Sequence, residues 1–142
     1  MPSTADGTIR VFSLSQDRFL EQVTEIKAPY PIDNLSVDKN GDIFAATFPQ
    51  VYKWSKSSRD PFSNIVPSSV FRIRKSGKGY KGTERKAHSE VDAEYAVEKV
   101  LEDDGSVLPG TTIAIHDAET GRYFLAGVMS PFITICEPTG SK

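Results

Sequence analysis

The chain repeats itself in outline, and that repeat limits its fold more than any single motif does. DNLSVDKNGDIFAAT, a loop and SVFRIR match GTTIAIHDAETGRYFLAGV followed by FITIC. Each unit is a strand, a polar turn containing Gly, a second strand ending in small residues, and a third strand. The first unit continues into YAVEKVL as a fourth strand, the second stops after three, and two further strands, TIRVFSL and LEQVTEIK, precede both. Repeated four-stranded antiparallel units are the mark of a β-propeller, whose blades run roughly 40 to 50 residues. The chain then divides into half a blade (1–28), a whole blade (29–104), an incomplete final blade (105–138) and a tail (139–142). A closed propeller takes at least about four blades. The expected fold is all-β, a β-propeller fragment of about two to two and a half blades.

Local signals agree with strands nearly throughout, because apolar residues alternate with polar ones at period two. The segments 8–14, 20–27, 35–37, 43–47, 50–54 and 69–74 all read this way, as do 111–116, 122–128 and 132–136. Asn40-Gly41 signals a two-residue hairpin, since both residues tolerate positive φ. The one helix-like pattern lies around 90–101, where β-branched content and regular strand spacing favour a strand instead. Between 75 and 94 the chain is dense in Gly and charge and reads as a solvated, flexible excursion. His88 lies inside it with no second histidine at ligand spacing, and reads as loop decoration.

Composition removes several function classes. The 142 residues suffice for one domain with a core, and 38% hydrophobic and 25% charged residues are ordinary for a globular chain. A formal net charge of −2, with Lys and Arg dispersed, offers no basic footprint for nucleic acid. No apolar run approaches the roughly 18 residues of a transmembrane segment. MPSTADGTIR lacks the charged start and apolar core of a secretory signal. The single cysteine, Cys136, can form neither an internal disulfide nor a cysteine-based zinc site. It is a buried thiol or half of a bond whose partner is absent.

The chemistry most worth following is the adjacent pair Asp33-Asn34, at the start of what the blade pattern makes an innermost strand. Carboxylate and amide oxygens are hard ligands of the kind Ca²⁺ gathers, about six to eight at a time. The alternative is that one of them caps a turn after Pro31 by accepting backbone N–H bonds. DKNGD, residues 38–42, resembles part of an EF-hand loop, but its spacing is wrong and no Glu follows where one is required. It reads as a hairpin turn, and HDAETG occupies the same turn in the next unit. His116 is then a strand-end residue. With no Ser or Cys nucleophile in a recognisable setting, it makes no triad.

PIDNLSVDKNGDIFAA, SVFRIR, EDDGSVLPGTTIA and FITICEP, in that order, resemble the C-terminal part of the serum paraoxonase/arylesterase family. The likeness runs from about Thr8 to Pro138, roughly the last third of a family member, broken mainly by the charged stretch at 75–94. It implies a six-bladed propeller and a calcium-dependent hydrolase of lactones, aryl esters and, promiscuously, organophosphate triesters. Asp33 and Asn34 match the Asp-Asn pair that binds the family's catalytic calcium. Cys136 matches a cysteine disulfide-bonded to a partner near the family's N-terminus. Met129 falls where the family places an apolar residue on the active-site wall, a position equally suited to core packing. Phe48 stands where several members carry a pocket histidine, which implies a different substrate preference. The remaining calcium ligands and the histidines proposed as base and proton shuttle belong to family segments with no match here. No catalytic residue is therefore identified, and the chain is expected to be inactive alone. Family members are often secreted or membrane-associated, through a region outside the likeness. Two other readings stand beside this one: a non-catalytic propeller piece that associates through exposed strand edges, and a propeller like the sugar lactonases or strictosidine synthases.

Overall fold

The computed structural model describes residues 1–61, 63–76 and 94–139. Most of the charged excursion, His88 included, lies outside the described residues. Within them the repeat appears as three antiparallel sheets. Strands β1 (Thr8–Leu14) and β2 (Leu20–Lys27) form the first sheet. The second is a four-stranded meander in which each strand pairs with the next along the chain: β3 (Ile32–Val37), β4 (Ile43–Thr47), β5 (Ser68–Lys75) and β6 (Tyr95–Asp103). The third holds β7 (Ile113–His116), β8 (Tyr123–Ala126) and β9 (Thr134–Cys136) in the same order. The three sheets thus hold two, four and three strands. The segment before Asp103 is a strand and not a helix, paired with β5 along its whole length.

Two local expectations fail, each for an identifiable reason. The β-like run at 50–54 lies in a short helix, α1 (Val51–Ser57). Both edges of β4 are already occupied, by β3 and β5, so a strand in this excursion would have no partner there. Its apolar residues instead serve a helix of about two turns, on which Trp54 and Ser57, three residues apart, face inward while Val51 and Tyr52 stay exposed. The Asn40-Gly41 turn is also not the two-residue type. Only Gly41 has positive φ, at 82°. Asp38 Oδ1 accepts the N–H groups of Asn40 at 2.9 Å and Asp42 at 3.0 Å, and Gly41 N–H donates to Asp38 O at 3.0 Å. The Asp side chain takes over the turn's hydrogen bonds, so the loop closes on Asp38 and Asp42 with glycine alone in the left-handed region.

The sheets pack face to face. Successive residues of a strand point to opposite faces, and β4 shows it: Ala45 joins Ile9, Ile26, Ala28, Ile32 and Ile73 in one core, Phe44 joins Val70, Leu108, Ala114 and Leu125 in the other. The first core binds the first sheet to the second, and the second core binds the second sheet to the third. Phe44 is wholly buried, which contributes on the order of 2 kcal/mol through the apolar surface removed from water. Because both faces of the middle sheet are covered, β3 is held tightly against β7 of the next sheet.

Candidate functional site

Strands β3 and β7 belong to different sheets and share no backbone ladder, yet they run side by side in the same direction. Asn34 Nδ2 donates to Thr112 O at 2.9 Å, Ser36 Oγ donates to Ala114 O, and His116 Nδ1 meets Asp38 Oδ2 at 2.8 Å. Each rung joins residues 78 apart in sequence. In the two turns Asp38 and Asp117 are equivalent, each accepting the N–H two residues on, so the rungs join positions one step out of register with the repeat. Residues 34, 36 and 38 alternate along one face of β3, as period-two geometry demands.

The Asp33-Asn34 pair stands at the first rung. Both residues lie within β3, and neither accepts a backbone N–H near Pro31, so the turn-cap alternative is not what the structure shows. Asp33 is half-buried, and burial raises its carboxyl above the usual value of 3.8. Its hydrogen bond is accepted from Asn34 Nδ2 at 3.2 Å. A carbonyl oxygen can only accept, so the contact with Thr112 O fixes which way the Asn34 amide is turned. Its nitrogen faces β7, and no donor among the described residues bonds its Oδ1. The site therefore presents a carboxylate and an amide oxygen, with no cationic side chain among the described residues paired to either. This donor set fits a hard cation such as Ca²⁺. Among the described residues no three His, Cys, Asp or Glu side chains converge on one point. The pair would supply part of a coordination shell.

Two other sequence-selected residues end up at the same end of the sheets. Thr47 pairs with Ile32, and the N–H of Phe48 donates to Pro31 O at 3.0 Å, which sets Phe48 beside the start of β3. Phe48 is buried, its ring 6.5 Å from that of Trp54 and inclined by 55°. Trp54 Nε1 is buried with no acceptor among the described residues. The start of β7 meets the end of β8 through Thr112 N–H donating to Ala126 O at 2.9 Å, and Met129 follows in the turn closed by Ser130 N–H and Gly127 O at 3.0 Å. Met129 is half-buried. Helix α1 and Trp54 were missed in the sequence because the segment looked like strand. The Phe48 and Trp54 spacing across a proline was the available signal.

At the other end of the ladder the environment is different. The side chain of Asp38 is fully covered and that of His116 is 13% exposed. Burial pushes the Asp38 carboxyl up, but the bonds from His116 and from the N–H groups of Asp42 and Asn40 outweigh it and hold it below 3.8. An ionised carboxylate only accepts, so the proton of the shared bond sits on His116 Nδ1. The imidazole centroid lies 4.7 Å from those of both the Phe44 and Tyr123 rings, tilted against them by 35° and 39°. Close by, Arg72 Nε donates to Asp42 Oδ2 at 2.6 Å, and Lys39 pairs with Glu119 across the two turns. His116 is thus a strand-end residue, engaged in joining two sheets.

Cys136 lies across from Tyr123, away from Asp33, on β9. It is a free, half-buried thiol in the described residues, and burial, then Asp103, pushes it above its ordinary value. It lines a cleft of about 160 Å³ with Leu101, Val107, Leu108, Leu125 and Thr134.

The described residues form an all-β protein of antiparallel sheets, with the side chains of Asp33 and Asn34 side by side at the start of β3. Compared with models of known protein families and with curated proteins, the chain matches none.

Proposed function

We propose that this chain is part of a calcium-dependent hydrolase of lactones and aryl esters, similar to the paraoxonase/arylesterase family and corresponding to its C-terminal third. The observation that supports the reading most is the geometry at the first rung. Asp33 carries a half-buried carboxylate without a cationic partner among the described residues, and Asn34 is turned so that its oxygen is the unbonded end of the amide. Ca²⁺ bound there would act as a Lewis acid, polarising a carbonyl or phosphoryl oxygen and stabilising the oxyanion that develops. The half-buried Trp54 and Met129 at the same end would supply apolar surface against which an aryl or lactone ring can pack, with Phe48 buried beside Trp54. Among the described residues at this end no side chain is assigned as general base. His116 sits at the far end of β7 and is committed to Asp38.

Two protein oxygens fall short of the about six to eight that Ca²⁺ takes. The chain of 142 residues is therefore expected to bind Ca²⁺ weakly, with water completing the shell, and to show no measurable turnover. Calorimetric titration with Ca²⁺ and hydrolysis assays with phenyl acetate and a lactone test this directly. Weak binding that disappears in Asp33→Asn supports the site. Absence of binding at millimolar Ca²⁺, or binding indifferent to Asp33→Asn, overturns it. Robust calcium-dependent turnover by this chain would overturn the view that it is catalytically incomplete.

A second reading, an interaction module, is favoured by a separate observation. Phe19, Leu20 and Val23 around β2, and Phe132, Ile133 and Ile135 around β9, are large apolar residues left exposed. Sheet edges of this kind pair with other chains.

A further inference from the structure

We propose that the β3–β7 ladder aims the Asn34 amide, and that Ser36 and the Asp38–His116 pair are positioning residues for the candidate cation site. The inference deepens the calcium reading and rests on it for its functional meaning.

The amide nitrogen of Asn34 makes two bonds, one to the neighbouring Asp33 Oδ1 at 3.2 Å and a shorter one, at 2.9 Å, to a main-chain oxygen of another sheet. A hydrogen bond tolerates only a few tenths of an ångström around its optimum. The separation of β3 from β7 must therefore be set to that tolerance, although no backbone pairing joins the two strands. Two features on the page can set it. One is the shared apolar core, where Phe44 packs with Ala114 and Leu125. The other is the remaining rungs, two and four residues further along β3 at the same 78-residue offset.

The last rung is the stiffest. The Asp38 carboxylate has both oxygens committed, Oδ1 to two backbone N–H groups of its own turn and Oδ2 to His116. The imidazole also packs against the rings of Phe44 and Tyr123, which themselves lie 5.7 Å apart. Ser36 is the middle rung, and its hydroxyl reaches the Ala114 carbonyl directly. With register fixed at 36 and 38, Asn34 meets Thr112 in one position only, nitrogen toward β7. Its nitrogen also reaches Asp33 Oδ1, and its oxygen is the end of the amide left without a donor among the described residues. None of Ser36, Asp38 and His116 would touch a cation or a substrate. They act through the spacing of two strands, as outer-shell partners of metal ligands do.

The test uses the whole chain, ¹⁵N-labelled, with two readouts. The first is the side-chain NH₂ signal pair of Asn34, identified by its loss in Asn34→Asp and followed without any cation. The second is the Ca²⁺ dissociation constant from calorimetry. Ser36→Ala and His116→Leu each remove a rung. Ser36→Thr keeps the hydroxyl, and His116→Asn keeps a donor at the δ position. The proposal expects a dispersed, exchange-protected Asn34 pair in the wild type. In both rung-removing variants that pair moves toward free-amide positions and Ca²⁺ affinity falls, roughly tenfold. The two conservative variants retain most of both. A purely structural stitch would lower the melting temperature and leave the Asn34 signals and the affinity of the folded protein unchanged, which would overturn the proposal. If His116→Leu fails to fold, Ser36→Ala decides alone. Should Asp33→Asn remove Ca²⁺ binding while the rung-removing variants change nothing, the positioning inference falls and the calcium site stands. Should the Asn34 signals respond as expected while the wild type binds no Ca²⁺, the aiming of Asn34 stands and the calcium reading falls.

Discussion

Two aspartates five positions apart on one strand and its turn have opposite electrostatics. Asp38 is fully covered but receives three donors, and its carboxyl is held below 3.8. Asp33 is less covered, has only an amide for company, and its carboxyl is raised. The consequences for stability differ in sign. A depressed folded pKa adds stability that is present above the unfolded value and is lost as pH falls through the folded one. A raised folded pKa does the reverse: ionised Asp33 costs stability at neutral pH, and the cost disappears as pH falls through a value above 3.8. At pH 7, Asp38→Asn is expected to lower unfolding free energy by about 2 kcal/mol, the size of a hydrogen bond to a charged group. Asp33→Asn should raise the melting temperature of the cation-free protein. Urea unfolding at pH 7 and thermal scans check the two signs, and the Asp38→Asn deficit should narrow only below about pH 3.8. A residue that costs stability where it stands is what a ligand-binding position looks like before its ligand arrives. The pair at 33–34 was legible in the sequence, since adjacent Asp and Asn at a strand start is a conspicuous use of polar residues. Its partner on β7 was not. Thr112 contributes a main-chain carbonyl, and every residue type has one of those.

At the scale of elements the repeat carried most of the fold. Strand positions followed from period-two alternation, and sheet membership from counting strands per unit, because antiparallel meanders pair neighbours along the chain. What remained illegible was decided by competition between groups. Residues at 50–54 alternate like a strand, but β4 had no open edge to offer them. The Asn-Gly turn lost to the Asp38 side chain for the same kind of reason. Two glycines separate conformational need from spatial need. Gly41 has a φ of 82° and open space where a Cβ would stand, so Gly41→Ala should cost about 1 kcal/mol, from the left-handed backbone alone. At Gly127 the φ is not positive, but a Cβ would lie 2.4 Å from Gly110 O. Gly127→Ala should cost about 1–3 kcal/mol as the turn after β8 is forced away. Equilibrium denaturation of both variants distinguishes the two causes, and a nearly harmless Gly127→Ala would show that the contact relaxes easily.

On the scale of the whole molecule, the middle sheet is covered on both faces while the sheets beside it are not. Leu20, Val23, Ile133 and Ile135 are each more than half exposed on β2 and near or on β9. In the third sheet β9 pairs with β8 alone among the described strands. Sedimentation velocity should therefore show concentration-dependent association of this chain. Ile135→Lys combined with Leu20→Lys should shift it toward monomer, since lysine on an exposed edge strand opposes pairing. Unchanged association in the double variant would place the contact elsewhere.

The ladder between β3 and β7 has one more consequence, which concerns descent. Its first two rungs are contributed asymmetrically: β3 supplies the side chains of Asn34 and Ser36, while β7 supplies main-chain oxygens. Whatever is particular about those contacts is written in one unit only. A duplicated unit spliced in after the first could accept them from its first day, whatever residues stood at its own 112 and 114 positions. Only the third rung asks for a matching side chain, and there His116 supplies it. Joints that read a backbone on one side let a repeat multiply before it specialises.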